Sequence, residues 1–311
     1  MDGIAATTDT IEWLLAGDPA VRWQVLRDLT DATDEQVATE RAKVAHEGWG
    51  AAVLAAQDDD GLWRAPDEPD WVPNLYTMML LREFGVDPAD PAVSRRIDAF
   101  ERAYRWDEEF GAGPFFAGEV EPCINGRVLA LGAYFNRADA AMAARLTGDE
   151  LADGGWNCEA PASAVSSFHS TICVLEGLRE YEAAVGATEA TTTARRRGEE
   201  YLLERHLHRR RSTGETAAPG FLDFTFPPSW YFDVLFGLDH FWAADIRDPR
   251  LAEAVDIVRS KAQPDGRWLL DGDSEYVVEY PGREQVGEPS RWNTLRALRV
   301  LRWWDAAPGQ A

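Results

Sequence analysis

Three residues of this 311-residue chain could together hold a metal ion: Cys123, Cys158 and His169. Two thiolates and one imidazole, with a fourth position left open, are the ligands of a catalytic zinc site. Cys123 and His169 each stand at the start of a predicted helix, and a helix N-terminus lowers the pKa of a nearby thiol. The alternative is that the cysteines are small buried residues and His169 is a hydrogen-bonded core histidine. Cys173, one helical turn beyond His169, lies among apolar residues and is interpreted as core.

Two carboxylates are candidate catalytic acids. Asp233 lies on an otherwise aromatic stretch, where partial loss of water would raise its pKa and suit it to donate a proton or to bind the metal. The alternative for Asp233 is a salt bridge to Arg296 or Arg127. Glu121, two residues before Cys123, is a weaker candidate, because acidic residues are common in first helical turns.

Aromatic residues stand near the starts of the same apolar helices. They could line a cavity, where their π faces would stabilise a cation or hold a polyprene chain. Ordinary packing explains each of them individually as well. The candidate substrate-binding residues are Trp71, Tyr76, Phe168, Trp230, Tyr231 and Trp292.

A repeated turn indicates the elements that must position these residues. Three segments consist of Gln or Glu, two or three residues that include Asp, then Gly, any residue and Trp: Gln57–Trp63, Glu150–Trp156 and Gln263–Trp268. They stand about 100 residues apart, so each interval holds two units of about 50 residues. Degenerate copies lie between them, at 109–115 and 213–221.

Each turn separates two helical stretches of different character. Those after the turns are apolar nearly all round, which places them inside: 19–30, 71–84, 122–136, 166–184, 229–243 and 290–304. Those before the turns are charged on one side, which places them outside: 35–56, 91–105, 138–151, 191–208 and 249–263, with 9–15 as a sixth. The pattern predicts an all-α protein in which six helix pairs close into a ring, with an open superhelix as the alternative. The best strand candidate, 275–280, would form a hairpin at most.

These turns resemble the QW repeats of the squalene cyclase and protein prenyltransferase superfamily. The resemblance extends from Trp23 to Trp304. It implies an (α/α)6 toroid: a single domain over residues 1–311, with one ring of six inner and about six outer helices. It also implies a central cavity suited to an isoprenoid-like molecule. The inner helices of such a ring start at one end, which would bring Cys123, Cys158 and His169 together.

The chemistry that the resemblance implies is less specific. The Asp-x-Asp-Asp acid of cyclases that protonate their substrate is absent, and Asp58-Asp59-Asp60 belongs to a turn. The Asp-x-Cys zinc ligands of protein prenyltransferases have no literal match either. We expect an enzyme that performs cyclisation, isomerisation or prenyl-type transfer. Two alternatives stay open: a zinc-thiolate enzyme that alkylates or adds thiols, and a non-catalytic toroid that binds a ligand or a partner.

Composition limits the partners. With 54 Asp and Glu against 31 Lys and Arg, the net charge is −23, which disfavours nucleic acid and anionic lipid surfaces. The sequence shows no secretory signal and no apolar run long enough to span a membrane, and its three cysteines are too few for a disulfide framework. We expect a cytoplasmic protein, without stable membrane insertion or a nucleotide cofactor, that acts on an apolar small molecule. The converging helix starts could accept a diphosphate or a carboxylate on that molecule.

Overall fold

Helices form most of the regular structure. The computed structural model describes residues 7–273 and 276–306, which contain thirteen α-helices and two short strands. In chain order the helices are α1 (Thr8–Leu15), α2 (Pro19–Leu29), α3 (Asp34–Arg41), α4 (Gly48–Ala55), α5 (Trp71–Phe84), α6 (Pro91–Ala103), α7 (Pro122–Tyr134), α8 (Ala140–Gly148), α9 (Phe168–Val185), α10 (Glu189–Leu203), α11 (Val234–Ala243), α12 (Ala252–Ser260) and α13 (Arg291–Asp305). Strands β1 (Trp268–Leu269) and β2 (Pro289–Ser290) pair antiparallel. The mostly helical fold predicted from the sequence is confirmed.

The helices expected inside are α2, α5, α7, α9, α11 and α13. They are buried on most sides: in α5, every residue from Val72 to Leu81 is buried. The observed bounds of α5 coincide with the predicted 71–84. Helix α11 begins later than predicted, at Val234 rather than 229, because Asp233 caps it and its Oδ1 accepts the Phe236 N–H at 2.8 Å.

One predicted outer helix is two helices. The stretch 35–56 breaks between α3 and α4, where Gly48 has a left-handed φ of +63°. The Asp18 carboxylate occupies the break and accepts the Trp49 N–H at 2.8 Å. A Cβ at position 48 would lie 2.0 Å from an Asp18 oxygen, so glycine is required there. Helix α4 contacts both α2 and α5, as expected for an outer helix between them. Helix α3 contains no buried residue, and α2 is the inner helix on which it mainly packs.

The six buried helices contact one another in cyclic order. Helix α2 packs on α5, α5 on α7, α7 on α9, α9 on α11, α11 on α13, and α13 returns to α2. The helices between them in sequence lie against this cycle: α8 contacts α7 and α9, α10 contacts α9, and α12 contacts α11 and α13. The hydrophobic side chains of both sets form one continuous core.

The three repeated turns have the same structure. Each glycine has a left-handed φ: +87° at Gly61, +95° at Gly154 and +75° at Gly266. Each indole N–H donates to a carbonyl in the preceding helix: Trp63 to Val53 (2.8 Å), Trp156 to Leu146 (2.7 Å) and Trp268 to Val258 (2.8 Å). Each backbone N–H of these tryptophans donates to a side chain of the following inner helix: Asn74, Thr171 and Thr294. The buried tryptophan thus ties an outer helix to the next inner one.

Helices α7 and α9 touch through their backbones. Gly126 of α7 faces Cys173 of α9, and a Cβ added to Gly126 would lie 2.5 Å from the Cys173 carbonyl oxygen. A Cβ at Gly177 would lie 2.3 Å from the Gly126 oxygen. These two glycines therefore set the separation of α7 and α9.

The remaining predictions concern strands and membrane spans. Of the strand candidate 275–280, Glu275 lies outside the described residues, and residues 276–280 form a turn and irregular structure. Among the described residues, no helix combines the length and the apolar composition needed to cross a bilayer.

Candidate functional site

A cavity of about 390 Å³ lies where the first turns of several inner helices meet. The starts of α5, α7 and α9 contribute to its wall, together with the loop before α9 and the segment before α11. We call it the thiol cavity. Its lining residues are Trp71, Tyr76, Glu121, Cys123, Ile124, Asn157, Cys158, Glu159, Ser167, His169, Ser170 and Trp230. The three residues of the predicted zinc set all border this one cavity.

The two thiols in this cavity are in direct contact. The Sγ atoms of Cys123 and Cys158 are 2.7 Å apart, and both cysteines are free and partly buried. Ser170 Oγ lies 3.3 Å from the Cys158 sulfur, and Glu121 Oε2 lies 3.5 Å from the Cys123 sulfur. Ser170 is itself held by Ser167, the residue that caps α9. With both cysteines protonated, the Cys158 thiol donates to the Cys123 sulfur and the Cys123 thiol to Glu121. Once Cys158 is a thiolate, the Cys123 thiol and the Ser170 hydroxyl can both donate to it.

The hydrogen bond between the two thiols makes their pKa values unequal. The hydrogen bond with Cys123, helped by one from Ser170, lowers the pKa of Cys158, although burial opposes the change. The same sulfur–sulfur hydrogen bond and burial raise the pKa of Cys123. The N-terminal ends of α7 and α9 favour negative charge here. The two thiols titrate as a pair, and the directions of the two pKa changes favour the first negative charge on Cys158.

His169 is a neutral imidazole in an aromatic setting. Its Nδ1 accepts the backbone N–H of Phe232 at 2.8 Å, so the proton of the neutral ring resides on Nε2. Burial lowers the pKa of His169, and the backbone of Trp230 opposes that change. The ring packs against Phe221 and Trp230, with centroids 5.3 and 5.4 Å away.

The group of possible metal ligands that contains the two thiols differs from the predicted group. Glu121, Cys123 and Cys158 offer ligand atoms that all lie within 4.8 Å of one another. His169 has committed Nδ1 to Phe232. Two sulfurs on one tetrahedral zinc, with bonds of about 2.3 Å, lie about 3.8 Å apart, so a zinc ion would require these sulfurs to separate by about 1 Å. Zinc binding stays a prediction.

The two candidate acids lie in different surroundings. Asp233 is buried and caps α11, and its Oδ2 accepts the Thr225 hydroxyl at 3.1 Å. Burial raises the pKa of Asp233, and Arg296 is the main group that opposes the change. Its hydrogen bonds are those of a structural cap. Glu121 is exposed, precedes α7 and borders the thiol cavity.

The six candidate aromatic residues divide into two groups. Trp71, Tyr76 and Trp230 line the thiol cavity. Tyr231 stacks on Trp230 with ring centroids 3.9 Å apart and is 49% exposed. Phe168 and Trp292 are buried: Phe168 packs on Phe221, Phe232 and Tyr201, and Trp292 stacks on Phe226 and Phe84. The last two therefore have the contacts of core residues.

Sequence reasoning missed two features of this region. Ser170 was not singled out, although its position three residues after the capping Ser167 is a helix-start pattern that could have located it. A second and larger cavity, at the opposite ends of the same helices, was not foreseen. Five of its charged residues lie within predicted inner helices, where charge is unexpected: Arg27, Arg82, Glu83, Arg179 and Glu180.

Comparison with known proteins adds little to this geometry. No family model matches the chain, and no curated protein matches it. The solved structures that are similar in part include three from different organisms. A protein from Actinoplanes has a TM-score of 0.46 and 14% identity, over 93% of this chain and 90% of its own.

The other two similar structures are enzymes by their descriptions. A glycosyl hydrolase family 88 protein from Bacteroides vulgatus has a TM-score of 0.48 and 12% identity, over 94% of this chain and 95% of its own. The type II terpene cyclase MstE from Scytonema has a TM-score of 0.31 and 14% identity, over 85% of this chain and 96% of its own. At these TM-scores and identities the likeness carries no argument about chemistry.

Proposed function

We propose that this protein is an enzyme that isomerises a mostly apolar, isoprenoid-like small molecule by reversible addition of the Cys158 thiolate. The observation that carries the proposal is the thiol pair in a cavity with aromatic walls. Cyclisation started by a strong acid has less support, because the carboxyl of Asp233 is committed to capping α11. Prenyl-type transfer to a thiolate is the second candidate reaction, because it uses the same nucleophile.

The substrate class follows from the chemistry of the cavity. A thiolate adds to the β-carbon of an α,β-unsaturated carbonyl compound: the new C–S bond forms while the π electrons move to the carbonyl oxygen. The former double bond is then single and can rotate. Reversal expels the thiolate and restores the double bond in the other geometry. The cycle needs no oxidant, reductant or nucleotide cofactor.

Three groups of the chain would serve this cycle. Once Cys158 has lost its proton, the Cys123 thiol would donate to the thiolate across their 2.7 Å contact. His169, with its proton on Nε2, would donate to the oxyanion of the intermediate. Trp71, Tyr76 and Trp230 would enclose the apolar body of the substrate. A reducing compartment such as the cytoplasm would keep the pair as thiols.

We propose the (α/α)6 toroid of the squalene cyclase and prenyltransferase superfamily as the architecture, with residues 1–311 as a single domain. The support is the cyclic contact order of six buried helices and the three turns with equivalent tryptophan hydrogen bonds. The starts of α5, α7 and α9 meet at the thiol cavity, as the inner helices of such a ring would.

Citral tests the activity, because it is an isoprenoid enal whose two components, neral and geranial, differ only in double-bond geometry. The purified protein should interconvert them, and Cys158→Ser should reduce the rate by at least about 100-fold. Cys173→Ala is the matched control: Cys173 is buried, and burial raises its pKa to about 11, so its loss should leave the rate unchanged. Equal rates for the wild type and Cys158→Ser would end the proposal.

Elemental analysis of the same preparations distinguishes the free-thiolate mechanism from the zinc-thiolate alternative. If the wild type holds one zinc per chain and Cys158→Ser loses it, the reactive thiolate is metal-bound rather than free. A metal-free protein that still isomerises citral would support the mechanism above.

A further inference from the structure

The opposite ends of the inner helices surround a second cavity, of about 910 Å³. Each of the six contributes a residue from its carboxyl-terminal half: Arg27, Arg82, Tyr134, Arg179, Trp242 and Trp303. We call it the C-terminal crater. Its volume is within the range of pockets that hold small organic ligands.

Helix α3 forms one wall of the crater. Val37, Ala38 and Arg41 line it, and Arg41 reaches from the end of α3 to the far side. Its Nε donates to the Gly85 carbonyl at 2.8 Å, and its Nη2 donates to the Tyr134 hydroxyl at 3.2 Å. The break in the predicted helix 35–56 is what allows α3 to take this position rather than to lie along the outside.

The crater continues toward the centre of the helix cycle. A smaller cavity of about 90 Å³ shares Arg82, Arg179 and Trp242 with it. Two buried carboxylates border the smaller cavity, and each is bound by two arginines: Glu176 by Arg82 and Arg127, and Asp239 by Arg296 and Arg299. Each of these two carboxylates is thus shared between two guanidinium groups, and Arg82 and Arg299 also pair with Glu83 and Asp28.

Two arginines that line the crater each have a buried N–H donor without an acceptor among the described residues: Nη1 of Arg82 and Nε of Arg179. Arg127, which does not line the crater, has a further such donor at Nε. The Arg82 side chain is only 8% exposed. Arg41, nearer the entrance, forms no ion pair with a carboxylate within the described chain. Because an unsatisfied charged donor in a buried position is costly, this arrangement favours an occupant that accepts hydrogen bonds and is negatively charged.

The acidic residues of the crater define how much negative charge it can accept. Glu83 and Glu180 are already paired with the adjacent Arg82 and Arg179. Asp34, Asp87 and Asp245 are exposed carboxylates of the crater, and they oppose a polyanion. The helix carboxyl ends oppose it as well. The crater thus suits one anionic group at its floor rather than several.

We propose that the C-terminal crater binds a small organic carboxylate with an apolar or aromatic body. The carboxylate accepts hydrogen bonds from Arg82 and Arg179 at the floor, and Arg41 contributes from the wall. Trp242, Trp303 and Tyr134 contact the body of the ligand. The site is separate from the thiol cavity and does not depend on its chemistry.

Calorimetric titration with 4-phenylbutyrate tests the proposal, and 4-phenylbutyramide serves as its neutral counterpart. The carboxylate should bind in a saturable way, at least about tenfold more tightly than the amide. Arg179→Gln should weaken carboxylate binding about tenfold and Arg41→Gln by a smaller factor. Arg259→Gln, which removes an exposed guanidinium paired with Asp256 and Asp305, should change nothing.

Three results would overturn the assignment: equal affinity for acid and amide, no saturable heat up to about 10 mM, or unchanged binding in both Arg179→Gln and Arg41→Gln. If Arg179→Gln fails to fold, Arg41→Gln alone decides. Cys158→Ser should bind the carboxylate as the wild type does. Loss of binding in that variant would place the ligand in the thiol cavity and refute the crater site, whatever the outcome for isomerisation.

Discussion

Gly177→Ala should force α7 and α9 apart. The new Cβ would lie 2.3 Å from the Gly126 carbonyl oxygen, more than 1 Å inside ordinary contact, and both partners are backbone, so no side chain can rotate away. Overpacking of this kind costs about 3 kcal/mol at the upper end, and the better helix propensity of alanine returns about 1 kcal/mol. We therefore expect the free energy of unfolding to fall by about 2 kcal/mol, measured by urea unfolding with tryptophan fluorescence.

Gly148→Ala is the matched control. Gly148 is exposed at the end of α8, and a Cβ there would meet nothing within 4 Å, so its stability should change by less than about 0.5 kcal/mol. In Gly177→Ala, separation of α7 from α9 should also draw Cys123 away from Cys158 and slow alkylation of Cys158 by iodoacetamide at neutral pH. If Gly177→Ala unfolds at the same urea concentration as the wild type, the backbone contact does not constrain the helices and the reasoning fails.

Three further predictions follow from particular contacts. Cys123→Ala removes the donor that lowers the pKa of Cys158, so the pH midpoint of Cys158 alkylation should move upward; an unchanged midpoint would show that the sulfur–sulfur hydrogen bond is unimportant. Glu176→Gln leaves two buried arginines without their shared carboxylate and should cost about 3–5 kcal/mol in urea unfolding, whereas a loss below about 1 kcal/mol would contradict the ion-pair geometry. Trp156→Phe leaves a buried carbonyl without its indole donor and should lower the free energy of unfolding by about 1–3 kcal/mol. Trp230→Phe, at a 39% exposed position, should lower it by less than about 1 kcal/mol. Equal losses of stability in the two variants would contradict a structural role for the turn tryptophan.

The helices could be predicted because their signals are local. Apolar residues repeat with helical spacing, and the turns place glycine where a left-handed φ is needed, as at Gly61 and Gly154. The break between α3 and α4 could not be seen in the same way. It depends on the Asp18 carboxylate, which is 30 positions away from Gly48 in sequence and meets it only in the folded chain.

The thiol cavity was predictable in part for the same reason. Cys123 and His169 could be placed at helix starts by counting residues, but the partner of each side chain depends on distances that no spacing rule specifies. In the structure, Cys158 forms a hydrogen bond with Cys123, and the His169 Nδ1 accepts the backbone N–H of Phe232. The hydrogen bonds give these neighbouring residues separate partners, and the predicted set of three zinc ligands stays a prediction.

The position of the thiol pair is determined by main-chain contact and buried charge rather than by the cysteines themselves. Cys123 lies on α7, and Ser170, which contacts Cys158, lies on α9. The facing glycines bring these two helices together, and deeper in the core Glu176 of α9 binds Arg127 of α7 and an arginine of α5. Two independent restraints thus act on the same pair of helices at different depths, which limits how far the sulfurs can separate. Arg82, the α5 arginine of this group, also borders the crater at the other end, so one residue that holds these helices together also supplies part of the guanidinium floor.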